Sequence, residues 1–213
     1  AWEASDLCSE IASEVISEEV IPGDCPVAYT LVRTYTVTDA CGNAASAVQN
    51  ITVLDTTAPE LEIAADVTIE CDQEVPAAAW TASDNCSEIT EEVTQVTVEG
   101  DCPNNYTIER TYTVSDDCGN TTSPTQIITV QDTTAPDFTN VPSGNEFECD
   151  ETVEYGEATA ADNCGDVTIT FADMTEAGQC ANEYTIVRTW TATDACGNAA
   201  EAQSFYYIYD ATA

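Results

Sequence analysis

The sequence has no histidine and no lysine, and its only basic side chains are Arg33, Arg110 and Arg188. Against them stand 40 Asp and Glu, for a formal net charge of -37. Without His or Lys the chain lacks the usual proton-transfer groups near neutral pH and the amine that forms Schiff bases, so no enzymatic activity is expected. Paired carboxylates can hydrolyse glycosides, but here each acidic cluster recurs with the repeat described below, whereas a catalytic site is singular. So negative a surface also excludes nucleic acid and anionic membranes as partners. No apolar run approaches the ~20 residues that span a bilayer, so no membrane insertion is expected. No signal-peptide pattern opens the sequence, which reads as a mature chain or a piece of one.

Zinc-type motifs are absent too: there is no Cys-x-x-Cys pair and no His to complete one. The eleven cysteines of this acidic, Thr-rich chain point instead to an oxidising compartment. The expected location is therefore secreted, extracellular or at the cell surface. Hydrophobic residues still make up 43% of the chain, enough for packed cores and more than a disordered acidic tail carries. The natural partners of such a surface are hard divalent cations.

Internal periodicity sets the architecture. Cys8, Cys86 and Cys164 are spaced by 78 and 78 residues, and Cys25, Cys102 and Cys180 by 77 and 78. Cys41, Cys118 and Cys196 follow at 77 and 78. Cys41-Gly42-Asn43 recurs as Cys118-Gly119-Asn120 and Cys196-Gly197-Asn198, and Asp84-Asn85-Cys86 as Asp162-Asn163-Cys164, with Asp6-Leu7-Cys8 a degenerate copy. The junction Asp55-Thr56-Thr57-Ala58-Pro59 returns at Asp132-Thr133-Thr134-Ala135-Pro136 and again at Asp210-Ala211-Thr212-Ala213. Three repeats result: 1–54, 55–131 and 132–213. A fourth cysteine, Cys71 or Cys149, lies near the start of the second and third. Because Ala1-Trp2 aligns with Ala79-Trp80, repeat 1 is expected to lack about 22 residues holding its first strand.

Within a repeat the segments are short, rich in Val, Ile, Thr and Tyr, and bounded by Gly, Asn, Asp and Pro, which predicts strands. For the second repeat these are 61–70, broken at Ala64-Ala65, then 77–83, 89–98, 105–115 and 122–131. The expected fold class is all-β: tandem Ig-like β-sandwich repeats in a linear array. Alternation is clearest at 105–115, where Tyr106, Ile108, Arg110, Tyr112 and Val114 share one face. All three arginines occupy the same repeat position, two residues from an aromatic on that face. A structural role is expected for them, stacked on a ring with a carboxylate as partner.

Four cysteines permit three pairings, and strand direction selects among them. With strands running alternately, Cys102 and Cys118 fall at opposite ends of a strand, which ten residues stretch to ~33 Å. A disulfide needs Cα atoms within ~7 Å. This predicts bridges inside each repeat: Cys71–Cys102, Cys86–Cys118, Cys149–Cys180, Cys164–Cys196 and Cys8–Cys41, with Cys25 unpaired.

The same strand order gathers carboxylates at the leading end of each repeat. They are Asp55, Asp84, Glu88 and Asp116 with Asn120 in the second, and Asp132, Asp162, Asp166 and Asp194 with Asn198 in the third. The first has Asp6, Glu10 and Asp39 with Asn43, and Asp210 opens a further set. Calcium takes six to eight such oxygens and would relieve their repulsion, so structural Ca²⁺ is the expected cofactor. The simpler reading, that Asp and Asn only form turns, rests on their general preference for turns.

Thr-Asp-Ala-Cys-Gly-Asn, Ser-Asp-Asn-Cys and Asp-Thr-Thr-Ala-Pro resemble the hyalin-repeat-like, Ig-like modules of long secreted bacterial proteins, particularly of Bacteroidota. The resemblance covers the whole chain. It implies an Ig-like sandwich, export to the cell surface, and a stalk, adhesin or fibre. It also implies O-glycosylation at Asp-Thr/Ser-x, which makes Thr56 and Thr133 candidate glycan sites. The function expected is a structural component of an extracellular filament or fibre, with copies or flanking repeats joined head-to-tail and a strand donated to repeat 1. The alternative is a spacer or ligand-binding module of a surface adhesin, with surface glycans as partners.

Overall fold

The computed structural model describes residues 2–180 and 182–211; Ala1 and the Thr212-Ala213 end of the last junction lie outside the described residues. Every regular element among them is a β-strand. The first sequence repeat holds β1 (Ile11–Pro22), β2 (Tyr29–Asp39) and β3 (Ala44–Val53). The second holds β4 (Glu60–Ile63), β5 (Val67–Glu70), β6 (Trp80–Ser83), β7 (Ile89–Glu99), β8 (Tyr106–Asp116), β9 (Thr121–Thr122) and β10 (Thr125–Gln131). The third holds β11 (Asp137–Asn140), β12 (Glu146–Glu148), β13 (Thr159–Ala161), β14 (Thr168–Ala177), β15 (Tyr184–Thr193) and β16 (Ala199–Tyr209).

The sheets repeat with the sequence. Strand order β5-β10-β8-β7 in the second repeat returns as β12-β16-β15-β14 in the third, and the small sheet β4-β6 returns as β11-β13. The two sheets form an Ig-like sandwich. In the second and third repeats the opening segment divides between both sheets. In the second repeat, β4 runs antiparallel to β6 and β5 parallel to β10; β11 and β12 do the same against β13 and β16. The expected break at Ala64-Ala65 is where the chain changes sheet. Gln126 Nε2 donates to the Ala65 carbonyl there at 2.9 Å, and Ser204 Oγ to the equivalent Pro142 carbonyl at 2.6 Å. Such bonds satisfy backbone that has left one ladder before joining the next. The first repeat shows only β1-β2-β3, and no described strand lies beside β3 where β5 and β12 lie beside their partners.

The chain divides into two compact units. One comprises Ala1–Ala64, Ala78–Thr94 and Thr111–Thr125, and the other Ala65–Ala77, Gln95–Arg110 and Gln126–Ala213. In the first, Trp2 packs on Tyr35 with ring centroids 5.0 Å apart, and its repeat counterpart Trp80 packs on Tyr112 at 5.5 Å. In the second, Ile69, Ile108, Ile128 and Val130 form one cluster, and Val187, Trp190, Ala192, Tyr206 and Ile208 are buried beyond it. In the third repeat Ala158 stands at the position of Trp80, and the buried Trp190 at that of Tyr112.

The arginines follow their expected position but not one pattern. Arg33 Nε donates to Glu18 at 2.6 Å and Arg188 Nε to Asp173 at 2.7 Å, each across a paired strand. Arg110 instead bonds Gln95, Gln126 and the Pro76 carbonyl. Arg188 lies 3.7 Å from the Tyr155 ring centroid and 3.9 Å from that of Phe171. The Asp173 carboxyl is held below its ordinary range, first by the Arg188 hydrogen bond. Arg188→Ala is expected to destabilise by about 2 kcal/mol, because it strands Asp173 and empties the space between two rings. Arg33→Ala should change little, since that pair is open to solvent. Urea unfolding of both variants makes the comparison.

The disulfides correct the sequence expectation. They are Cys25–Cys118, Cys71–Cys164 and Cys102–Cys196, with Cα separations of 5.0, 5.8 and 5.1 Å. Each joins one repeat to the next. Cys71–Cys102, Cys86–Cys118 and Cys164–Cys196 are therefore not formed, and Cys25 is bridged rather than unpaired. Cys8, Cys41, Cys149 and Cys180, expected in Cys8–Cys41 and Cys149–Cys180, are exposed thiols, as is Cys86. The cause is local. All six bridged cysteines sit in turns or bends beyond the strand tips, so they face the turns of the adjoining repeat rather than reach across their own sandwich.

Candidate metal centres

Each acidic cluster is built by three recurrent turns. In the Asp-x-Cys-Gly-Asn turn after β8, Asp116 folds back so that its Oδ1 accepts the Cys118 and Asn120 N–H groups at 2.9 and 2.8 Å. Gly119 sits at φ +88, a left-handed conformation that glycine adopts without strain, and Gly197 repeats it at +90. Asp194 Oδ1 takes the matching bonds from Cys196 and Asn198. In the Asp-Asn-Cys turn, Oδ1 of Asp84 and of Asp162 accepts the Cys86 and Cys164 N–H at 2.9 and 2.8 Å. The linker provides the third carboxylate, Asp55 or Asp132, with Oδ1 toward the N–H of Thr57 or Thr134.

Asp55, Asp84 and Asp116 each thereby offer an oxygen within 4.8 Å of the other two, and so do Asp132, Asp162 and Asp194. Two oxygens on one calcium ion stand at most about 5 Å apart, twice a bond of 2.3–2.6 Å. The spacing fits. Asp84 Oδ2, Asp132 Oδ2 and Asp162 Oδ2 are buried with no hydrogen-bond partner, and Asp132 is only 4% exposed. A buried carboxylate oxygen left unpaired is costly unless a cation or a proton satisfies it.

Electrostatics separate the members of a cluster. The Asp132 carboxyl is pushed up, first by burial and then by the charge of Asp194. Burial also opposes ionisation of Asp194 and Asp116, but the hydrogen bonds from Asn198 and Asn120 and from their turns outweigh it and hold both carboxyls down. Asp84 is lowered chiefly by the Cys86 N–H. Asp132 is thus the member that strains against its neighbours.

Other expected ligands take different places. Asn120 and Asn198 are braces: their amide groups donate to Asp116 Oδ2 at 2.7 Å and Asp194 Oδ2 at 2.8 Å, and to the backbone oxygens of Asp55 and Asp132. Glu88 and Asp166 are exposed and outside both clusters. At the first repeat, Ser9 Oγ links Asp6 and Asp39 at 3.2 and 3.1 Å. Glu10 contributes its backbone carbonyl, which accepts the Ala40 N–H. Asp210 takes a hydrogen bond from Asn182 at 3.0 Å. The sequence reading passed over Ser9, Ser87, Asn105 and Asn182, although Ser9 and Ser87 share one repeat position. Asn105 Oδ1 receives the Asp132 N–H at 2.8 Å, so the trailing end of one repeat fixes the linker carboxylate of the next.

The two candidate glycan sites differ. Thr56 is exposed. Thr133 donates its hydroxyl to Glu70 at 2.8 Å, which also lowers the Glu70 carboxyl. A third grouping, Cys71, Asp132 and Cys164, contains a closed disulfide and offers no thiolate.

Residues 138–210 match the model of the HYR-like domain with 4 cysteines, and this segment holds Cys149, Cys164, Cys180 and Cys196. Among solved structures, the chain is similar to protocadherin gamma B2 extracellular cadherin domains 1-5 at 10% identity and a TM-score of 0.35, covering 94% of this chain and 53% of that one. It is similar to Drosophila N-cadherin EC1-4 at 14% identity and a TM-score of 0.32, covering 86% and 58%. The chain thus spans little more than half the length of these proteins. No curated protein matches it. No helix among the described residues is long and apolar enough to cross a membrane.

Proposed function

We propose that this chain is a structural segment of an extracellular filament or fibre, whose repeats are stapled to one another by disulfides and rigidified by calcium. The observation that carries this reading is the Asp132, Asp162 and Asp194 cluster. It draws on the linker and on two turns of the third repeat, holds two unpartnered buried oxygens, and has Cys164 and Cys196, both bridged to the preceding repeat, in those same turns. Calcium there ties the linker to the repeat that follows, as the bridges tie the repeats. Further repeats or copies join head-to-tail, and a strand supplied by a neighbour lies parallel to β3, as β5 lies along β10. Glycans, where present, favour Thr56, because Thr133 would have to give up its bond to Glu70. Catalysis has no place in this reading, since the acidic clusters recur with the repeat, whereas a catalytic site is singular.

Electron microscopy of the native material tests it. Long fibres with a regular axial repeat are expected in calcium. Isolated rods of uniform length would favour the spacer of an adhesin and overturn the filament.

A further inference from the structure

The three bridges obey one rule, and the rule accounts for every exposed thiol. A first-position cysteine joins the second-position cysteine of the next repeat (Cys71–Cys164), and a third-position cysteine joins the fourth of the next (Cys25–Cys118, Cys102–Cys196), at sequence separations of 93, 93 and 94. Under this rule Cys149 and Cys180 need a repeat that follows, while Cys8 and Cys41 need one that precedes. The spacings agree: Cys149 and Cys180 are 31 apart, as are Cys71 and Cys102, and Cys8 and Cys41 are 33 apart against 32 for Cys164 and Cys196.

Local structure agrees as well. Cys149 N donates to the Tyr209 carbonyl at 2.9 Å, as Cys71 N does to that of Gln131. The loop around Cys180 closes with Gly178 N on the Glu183 carbonyl at 2.8 Å, as Gly100 N closes on that of Asn105 around Cys102. At the other end, the Cys8 and Cys41 N–H groups are held by Asp6 and Asp39 at 2.8 Å, the distance at which Asp162 and Asp194 hold Cys164 and Cys196. Each open thiol therefore stands in the turn that carries a bridge one repeat away.

From this match, and resting on the filament reading, we infer that a second copy of this chain joins covalently head-to-tail, through Cys149 of one copy to Cys8 of the next and Cys180 to Cys41. The same contact brings Asp210 to Asp6 and Asp39, the places held by Asp132, Asp162 and Asp194. Each bond forms by exchange with a disulfide oxidant such as glutathione disulfide. One cysteine thiolate attacks it and releases a glutathione thiolate, and the second cysteine thiolate displaces the other glutathione. Two cysteine sulfurs are oxidised, the oxidant is reduced to two thiols, and the cysteine protons end on the departing thiolates. Cys86 has no part in this junction: its rule partner is a first-position cysteine of the repeat before it, and residues 1–54 hold only Cys8, Cys25 and Cys41, the second, third and fourth.

The test uses two double variants of the full chain, Cys8→Ser/Cys41→Ser and Cys149→Ser/Cys180→Ser, in glutathione redox buffer with calcium at a pH of about 8.5, where thiolates form. Each alone is expected to remain monomeric on a non-reducing gel, and the mixture to give a covalent dimer that grows no further. The unsubstituted chain should form a ladder in which free thiols fall from five per chain toward one, at Cys86. Peptide mapping should recover Cys149–Cys8 and Cys180–Cys41. Dimers formed by either variant alone, bridges to Cys86, or a mixture that stays monomeric would overturn the inference. Microscopy of the same samples separates the two readings, because fibres without cross-links would retain the filament and remove only its covalent junction.

Discussion

Adding calcium to the metal-free chain is expected to raise its melting temperature by roughly 5–10 °C at a hundredfold excess over the dissociation constant. Binding to the folded state alone contributes about 2.7 kcal/mol at that excess, and each kcal/mol moves the midpoint of a chain this size by about 2–4 °C. The gain should vanish for the second compact unit in Asp132→Asn, measured by calorimetry. That variant has a second, opposite effect. Because burial and the charges of Asp194 and Asp162 raise the Asp132 carboxyl, its ionised form costs the folded state free energy when no cation is present. Asp132→Asn should therefore melt higher than the parent in EDTA and lower than the parent in calcium. A substituted chain that melts below the parent in both buffers would show that the carboxylate serves the fold and not a cation.

The same shifts set the pH dependence. A carboxyl raised by folding takes up a proton first in the folded state, so the metal-free chain gains stability from Asp132 as pH falls through that raised value. Asp116 and Asp194 are lowered; their contribution is present above the ordinary carboxylate range and is lost as pH falls through their folded values. Calcium must displace the Asp132 proton, so its affinity by titration calorimetry should weaken on acidification, starting with that group.

The second large effect concerns the bridges. Replacing Cys102 and Cys196 together by Ala reopens a connection of 94 residues and is expected to cost about 3–4 kcal/mol, or roughly 10 °C. It should cost somewhat less than the chain-entropy value because Cys71–Cys164 still restrains much of the same loop. Single variants report the partner. In Cys71→Ala the newly alkylated cysteine should be Cys164, and label on Cys102 would restore the pairing inside a repeat.

That pairing shows where sequence reading stops. Alternation puts Ile108, Arg110, Tyr112 and Val114 on one face, which is the buried one, and the Ala64-Ala65 break marks the change of sheet. Cys71 and Cys102, grouped by the expected strand order, both bridge to the third repeat, and Cys118 bridges to the first. Yet when every cysteine recurs each 77 or 78 residues, a partner in the same repeat and one in the next have the same sequence signature. Only the direction in which the terminal turns face decides between them. The carboxylates divide similarly. Those fixed by the turn motifs, Asp84, Asp116, Asp162 and Asp194, were legible with their linkers. Glu88 and Asp166 share the composition but have no turn to direct them inward.

Because the bridges run between repeats, the boundary at Asp132–Pro136 is crossed by three covalent paths: the main chain, Cys71–Cys164 and Cys102–Cys196. A protease that nicks the exposed Thr133-Thr134 stretch would leave the pieces joined until a reductant acts. Tension along the chain is likewise shared among parallel bonds at the boundary. The linker, ordinarily the weakest part of a string of domains, is here its most redundant.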